Sequence, residues 1–203
     1  MTHRIRTVRL AQAWTFLRAA LSGLVLAVAF GACSASPAAT FNPSGPCVVD
    51  GRQPGAYPDL EVRVPTSIDG RAPDRLDSGR NCSVVNLGTL AGHGIREVMF
   101  AGGAWTDSGT QGITAAVFRA PGLQAAWMGE WFEASARSAR ATQAFVPTRL
   151  QIGGRDAYRL DLLNGDVHQS VIVWPSTVAD EVRVVIASGV TEERIVAGIA
   201  AFR

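Results

Sequence analysis

The triplet Asp-Ser-Gly occurs twice, at Asp77-Ser78-Gly79 and Asp107-Ser108-Gly109. A serine becomes a nucleophile when a base within hydrogen-bond reach takes its proton. His93, in Ala91-Gly92-His93-Gly94, is the histidine placed to serve Ser108 in that way, since His168 sits at an outward strand position. That constellation describes a hydrolase of the Ser/His/Asp kind. Turn chemistry accounts for both triplets without catalysis, because Asp, Ser and Gly are the residues that tight bends favour. Asp156, Asp161 and Asp166 are spread across one hairpin. Paired in a cleft, such carboxylates would cleave glycosides; beside Arg155, Arg159 and Arg183 they form a surface ion-pair array instead. Trp105 and Trp174 each end a strand beside a turn, Trp174 just before Pro175. With His93 and Ser108 they are candidates for the rim of a small-molecule pocket. Their alternative role is to cap the core with only the indole N–H wet.

Other chemistry is excluded by what is missing. The chain has no G-x-x-x-x-G-K-[ST], no G-x-G-x-x-G between strand and helix, no H-E-x-x-H and no G-x-S-x-G. Its 203 residues carry 19 basic side chains, every one arginine, against 17 acids. Four of the arginines precede Cys33, where there is no acid, so the remainder bears a net charge of −2. A nucleic-acid binder needs a basic face to neutralise phosphates, and none is expected here. With 47% apolar and 18% charged residues the composition is that of a globular chain.

The elements that must position these groups follow from periodicity. Residues 47–83 are rich in Gly, Pro, Asp and Arg and read as loop-dominated. A short helix is expected over Leu87–His93. Strands are expected over Arg96–Trp105 and Gly112–Arg119, joined by a turn at Thr106–Thr110. Pro121 is read as opening a helix that runs to about Arg140. Leu123, Trp127 and Trp131 recur at i, i+4 and i+8, with Met128 and Phe132 widening the stripe, and Glu133 and Arg137 pair on the wet side. Arg149–Ile152 and Arg155–Leu163 flank Gly153-Gly154, a hairpin needing positive φ, with Tyr158, Leu160 and Leu162 on one face. Asn164-Gly165 leads to a strand over Val167–Trp174, and Glu181–Ser188 is another. Thr191 caps a last helix with Glu192 and Glu193 at its positive end and Ile195, Ile199 and Phe202 on its buried face.

Two segments are alike. Ile68–Asp77 and Ile152–Asp161 agree at six of ten positions, and each half orders its elements as strands followed by a helix. This suggests a duplicated β-β-β-α unit. The expected fold class is α+β, an antiparallel sheet with helices packed on it.

The N-terminus carries an address. Residues 1–18 are basic without an acid, and Ala19–Ala32 hold no charge. Fourteen helical residues reach about 21 Å, short of the roughly 30 Å hydrocarbon core. The length suits the apolar region of a signal peptide, against an uncleaved anchor or a buried helix. Ala29-Phe30-Gly31-Ala32-Cys33 resembles the lipobox of bacterial lipoproteins, with Phe30 in place of the usual Leu. The resemblance implies a signal peptide over 1–32, a diacylglyceryl thioether on Cys33, and a membrane partner reached through that lipid. Ordinary secretion, with cleavage between Ser34 and Ala39, is the competing reading. Lipidation of Cys33 leaves Cys47 and Cys82 as a pair, free or bonded, and an oxidising compartment favours the disulfide. A structural zinc site needs four N/S ligands, which two histidines and a bonded pair do not supply. No metal and no cofactor is expected. Residues 33–46, uncharged and rich in proline, read as a flexible tether, and 47–203 as a single α+β domain.

Asp50–Leu60, Asp77–Cys82 and Leu87–Leu90 together resemble uncharacterised exported proteins of high-GC, Chloroflexota-like bacteria. That resemblance implies a cell-envelope location on the extracytoplasmic face and no catalytic residue. The Gly-Gly hairpin, strands and closing helix are similar to the second half of PsbP/Mog1-like domains. The function expected is that of a membrane-anchored, non-catalytic module binding a small molecule or an envelope protein, the alternative being an exported hydrolase.

Overall fold

The structure, a computed structural model, describes residues 40–140 and 142–202. The expected signal peptide (1–32), Cys33 and the first part of the tether lie outside the described residues. In chain order the elements are β1 (Gly51–Gln53), α1 (Pro58–Glu61), β2 (Arg75–Asn81), α2 (Val84–Leu87), α3 (Thr89–Gly92), β3 (Val98–Ser108), β4 (Gln111–Arg119), α4 (Ala125–Ser138), β5 (Thr142–Ile152), β6 (Arg155–Asn164), β7 (Val167–Pro175), β8 (Glu181–Ser188) and α5 (Glu192–Ala200). All eight strands join one antiparallel sheet in the order β1-β2-β3-β4-β8-β7-β6-β5. Two meanders therefore meet at the β4–β8 pair, where Ala115 lies opposite Val185.

Strand alternation gives the sheet two apolar faces, and each is covered. On one, Ala101, Trp105, Ile113, Val117, Ile172, Trp174 and Val185 pack with Leu60, Val64 and Ile68 and with Ile195 of α5. On the other, Leu160, Leu162, Val171, Val173, Val182 and Val184 pack with Leu87, Leu90 and Met128, so α2, α3 and α4 cover it. The architecture is α+β in three layers, with antiparallel strands in the middle one. Strand order repeats between β2-β3-β4-α4 and β6-β7-β8-α5, but the two helices cover opposite faces.

Several local expectations change. Residues 47–83 hold more than loop, since β2 is a seven-residue strand paired on both sides. Its buried side chains are polar, Asp77, Ser78 and Arg80, and their partners come mostly from outside the strand. Asp77-Ser78-Gly79 is thus strand, not turn. A Cβ at Gly79 would collide with the Gly51 carbonyl, which is why glycine stands where β1 pairs. Pro121 does not open α4. Gly122 takes φ +75° and donates its N–H to Asp180 Oδ1 at 3.0 Å, so the helix starts after Gln124. Its most buried residues are Met128, Gly129 and Ala136, which leaves Trp127 and Trp131 half-exposed at the margin of the stripe.

The hairpin glycines behave as their sequence demands, Gly153 at φ +57°, Gly154 at +72° and Gly165 at +61°. Thr191 caps α5 by accepting the Arg194 N–H at 3.4 Å. Cys47 and Cys82 form a disulfide with a Cα–Cα distance of 5.9 Å. The described end of the expected tether, residues 40–46, lies against β2. Arg80 Nη2 donates to the carbonyls of Asn42 and Pro46, both at 2.9 Å, and its guanidinium stands over the Phe41 ring. These carbonyls and the Glu97 carboxylate satisfy the two terminal nitrogens of the buried guanidinium, while its Nε has no hydrogen-bond partner.

Candidate functional site

The groups that converge are on α4 and the β5–β6 hairpin. Helical spacing puts Ala126, Glu130 and Glu133 on one edge of α4, beside Trp127. In the hairpin register Arg149 lies opposite Tyr158, and Gln151 opposite Asp156. These residues, Gln151 excepted, line a cleft of about 330 Å³. Tyr158 reaches α4 because residue 129 is glycine: a Cβ there would stand 3.0 Å from both Cγ and Cδ1 of the Tyr158 ring. A glycine inside a helix costs about 1 kcal/mol relative to alanine, and close approach of the ring is what offsets it here.

Two hydrogen-bonded couples hold the cleft. Tyr158 Oη donates to Glu133 Oε2 at 2.6 Å, and Arg137 donates to the other oxygen of the same carboxylate. The Tyr158 bond and then the Arg137 bond hold the Glu133 carboxyl below its ordinary range. Burial, then the Glu133 carboxylate, pushes the Tyr158 phenol up. His93 stacks on Trp127 with ring centroids 4.6 Å apart and planes 6° from parallel, while its Nε2 lies 2.8 Å from Glu130 Oε2. The cleft therefore offers an indole and a phenol as walls, three carboxylates (Glu130, Glu133, Asp156) and one guanidinium (Arg149). Aromatic faces and carboxylates attract cations, and the lining carries no hydroxyl or thiol nucleophile of Ser or Cys type. Among the described residues no group of three His, Cys, Asp or Glu side chains is placed to hold a metal ion.

Of the residues singled out from sequence, Asp156 lines the cleft and His93 stands against its Trp127 and Glu130; the others fall elsewhere. Trp105 is fully buried, its Nε1 donating to the Arg71 carbonyl at 2.8 Å. Trp174 is 3% exposed and meets Phe202 edge-to-face at 5.3 Å. Both belong to the core beneath α5, but at different levels: strand pairing sets Trp105 in line with Ser170 and Trp174 in line with Ala101. They cap that core and form no common rim. Ser108 sits at the β3–β4 hairpin, its Oγ donating to Gln111 Oε1 at 3.1 Å. His93 precedes the other end of β3, whose 11 residues span about 36 Å. The Ser108–His93 constellation is thus not brought together. Ser78 is buried, accepting the Tyr57 N–H at 2.7 Å and donating to Glu61 Oε1 at 2.8 Å. Arg159 gathers Asp161 at 2.9 Å and Glu192 at 2.6 Å, so the hairpin carboxylates divide, Asp161 to an ion-pair network and Asp156 to the cleft.

Sequence reasoning missed Trp127, Glu130, Glu133, Arg149, Asp156 and Tyr158 as a group. A glycine in mid-helix between an aromatic and a carboxylate, at Trp127-Met128-Gly129-Glu130, is the signal that pointed to it. The fold and cleft define a three-layered α+β domain with a lateral, aromatic-walled site. No protein-family model matches the chain, and no curated protein matches it.

Proposed function

We propose that this chain is an exported lipoprotein, lipidated on Cys33, whose domain stands on the extracytoplasmic face of the membrane and binds a small cationic molecule in the Trp127–Tyr158 cleft. The cleft carries the reading. At about 330 Å³ it falls in the range of small-molecule sites, and Glu130, Glu133 and Tyr158 are held by hydrogen bonds beside the aromatic walls. The disulfide agrees with an oxidising compartment. The short apolar run, the lipobox-like residues before Cys33 and the likeness to exported lipoproteins of high-GC bacteria support the address. The PsbP/Mog1-like analogy bears on fold alone. The repeated strand order supports the β-β-β-α duplication, in which the match of Leu76-Asp77 to Leu160-Asp161 would make β2 and β6 counterparts. The opposite placement of α4 and α5 weighs against it, so the likeness is one of strand order and not of a copied packing unit.

Intrinsic fluorescence tests the cleft, because Trp105 and Trp174 are buried while Trp127 is half-exposed in its wall. Titration of the mature protein with small aliphatic and aromatic amines is expected to give a saturable change that Trp127→Phe removes. Absence of any saturable change across the amine series overturns the cleft reading. The mass of the mature N-terminus tests the anchor separately, and a free N-terminus beyond Cys33 overturns it.

A further inference from the structure

Six large aliphatic side chains stand exposed among the described residues, and three of them, Val48 at 70%, Val84 at 75% and Val85 at 89%, lie within three residues of the Cys47–Cys82 bridge. Nothing in the fold uses them. They are nevertheless held firmly. The Asp50 carboxylate accepts from Ser83 N at 2.8 Å, from Asn86 Nδ2 at 2.6 Å, and from the Cys82 N–H and the Ser83 hydroxyl. Burial alone would raise that carboxyl; the Ser83, Cys82 and Asn86 bonds outweigh it and keep it low, hence ionised. The disulfide and this carboxylate fix the 47–50 and 82–87 segments together, with three valines turned outward. Two residues before Val98, which pairs with Asn81, the exposed Arg96 lines a cavity of about 520 Å³ with Ile95, Met99 and Pro121.

The chain enters the domain at this same end. Arg80 holds the Asn42 and Pro46 carbonyls two residues before Cys82. Between Cys33 and the described residues stand only 33–39, which extend at most about 23 Å. The far end of the sheet, at Ser108, is about 36 Å away along β3. A lipid on Cys33 therefore brings the disulfide end to the bilayer and cannot bring the Ser108 end there in its place.

We infer that Val48, Val84 and Val85, together with Arg96 at the same end of the sheet, seat the disulfide end of the domain on the lipid bilayer surface. The inference rests on Cys33 as the anchor. The anchor supplies the affinity; the valines enter the interface and the guanidinium meets lipid phosphate, which sets the orientation of the domain. With this end down, the β3–β4 hairpin is turned to the aqueous side.

Hydrogen–deuterium exchange of the full processed chain tests this, reconstituted in phosphatidylethanolamine/phosphatidylglycerol vesicles and compared with the same protein released from lipid. The peptide over residues 82–90 is expected to exchange several-fold more slowly on vesicles, the 106–112 peptide to be unchanged, and V48S/V84S/V85S to abolish the slowing. These side chains are exposed, so the variant is expected to fold. Equal rates at 82–90 with and without vesicles, equal slowing at 106–112, or protection of 82–90 in the lipid-free protein that rises with its concentration, as a second copy would give, would each overturn it. The N-terminal mass separates the two claims. Acyl mass on Cys33 without slowing removes the face and keeps the anchor, while slowing without acyl mass keeps the face and removes the anchor.

Discussion

The Tyr158 hydroxyl donates to the Glu133 carboxylate at 2.6 Å, and this bond ties β6 to α4 across the floor of the cleft. Tyr158→Phe keeps the ring on Gly129 and removes only the donor. A hydrogen bond to a charged group is worth about 1.5–3 kcal/mol, and partial exposure takes this to the lower end. Urea unfolding of Y158F is expected to show a loss of about 1–2 kcal/mol with an unchanged m-value. An unchanged midpoint would mean that water replaces the phenol at no cost.

The same pair sets a pH window. Glu133 is held below its ordinary 4.5, by Tyr158 first and Arg137 second, so its contribution is present above pH 4.5 and drains as pH falls through the lower folded value. Tyr158 is raised above its ordinary 10.0, by burial first and Glu133 second, so its contribution is present below pH 10.0 and is lost as pH rises through the higher folded value. A double-mutant cycle of Y158F and E133Q, followed by urea unfolding at several pH values, should give a plateau of coupling between those limits and a decline on both sides.

Arg80 lies 4% exposed and joins residues 40–46, β2 and Glu97. Arg80→Met keeps much of the volume and leaves two carbonyls without their donor. The expected cost is about 2–4 kcal/mol, and cleavage by a nonspecific protease within 40–46 should speed up in step. Destabilisation without added cleavage would show that Phe41 packing and the Tyr57 hydroxyl on the Pro43 carbonyl hold the segment.

The disulfide spans 35 positions, Cys47 to Cys82. In the chain-entropy model a loop of that size restricts the unfolded state by about 3–4 kcal/mol. C47S/C82S is therefore expected to lower the urea midpoint by the corresponding amount while leaving fluorescence from the distant Trp174 core unchanged in the folded state.

Some of this architecture was legible from local chemistry and some was not. Gly153-Gly154 and Asn164-Gly165 announce their hairpins because positive φ is needed there and glycine supplies it. Glu181–Ser188 is rich in β-branched residues, and Thr191 followed by two acids marks the start of α5. β2 was hidden because its buried residues are Asp77, Ser78 and Arg80, whose partners (Arg75 and Arg52, Glu61, and the Asn42 and Pro46 carbonyls) come mostly from elsewhere in the chain. The start of α4 was misplaced because Asp180, 58 residues away, claims the Gly122 N–H. The cleft was missed for a similar reason: Glu133 and Tyr158 stand 25 residues apart, and only packing of the helix on the sheet brings them together.

Gly129 decides how closely that packing is made. In most helices Gly→Ala gains about 1 kcal/mol from backbone entropy. Here the new methyl would stand 3.0 Å from the Tyr158 ring, closer than side chains ordinarily pack, and the ring cannot retreat without stretching its bond to Glu133. G129A is therefore expected to be destabilising by about 1–3 kcal/mol, the usual cost of overpacking, and to weaken amine binding by lifting α4 from the hairpin. The cause can be isolated. In a Y158A background the obstruction is gone, so adding G129A should turn stabilising, with a sign reversal in the cycle of these two contacting sites. If G129A destabilises equally with and without the Tyr158 ring, the glycine serves the helix and not the cleft.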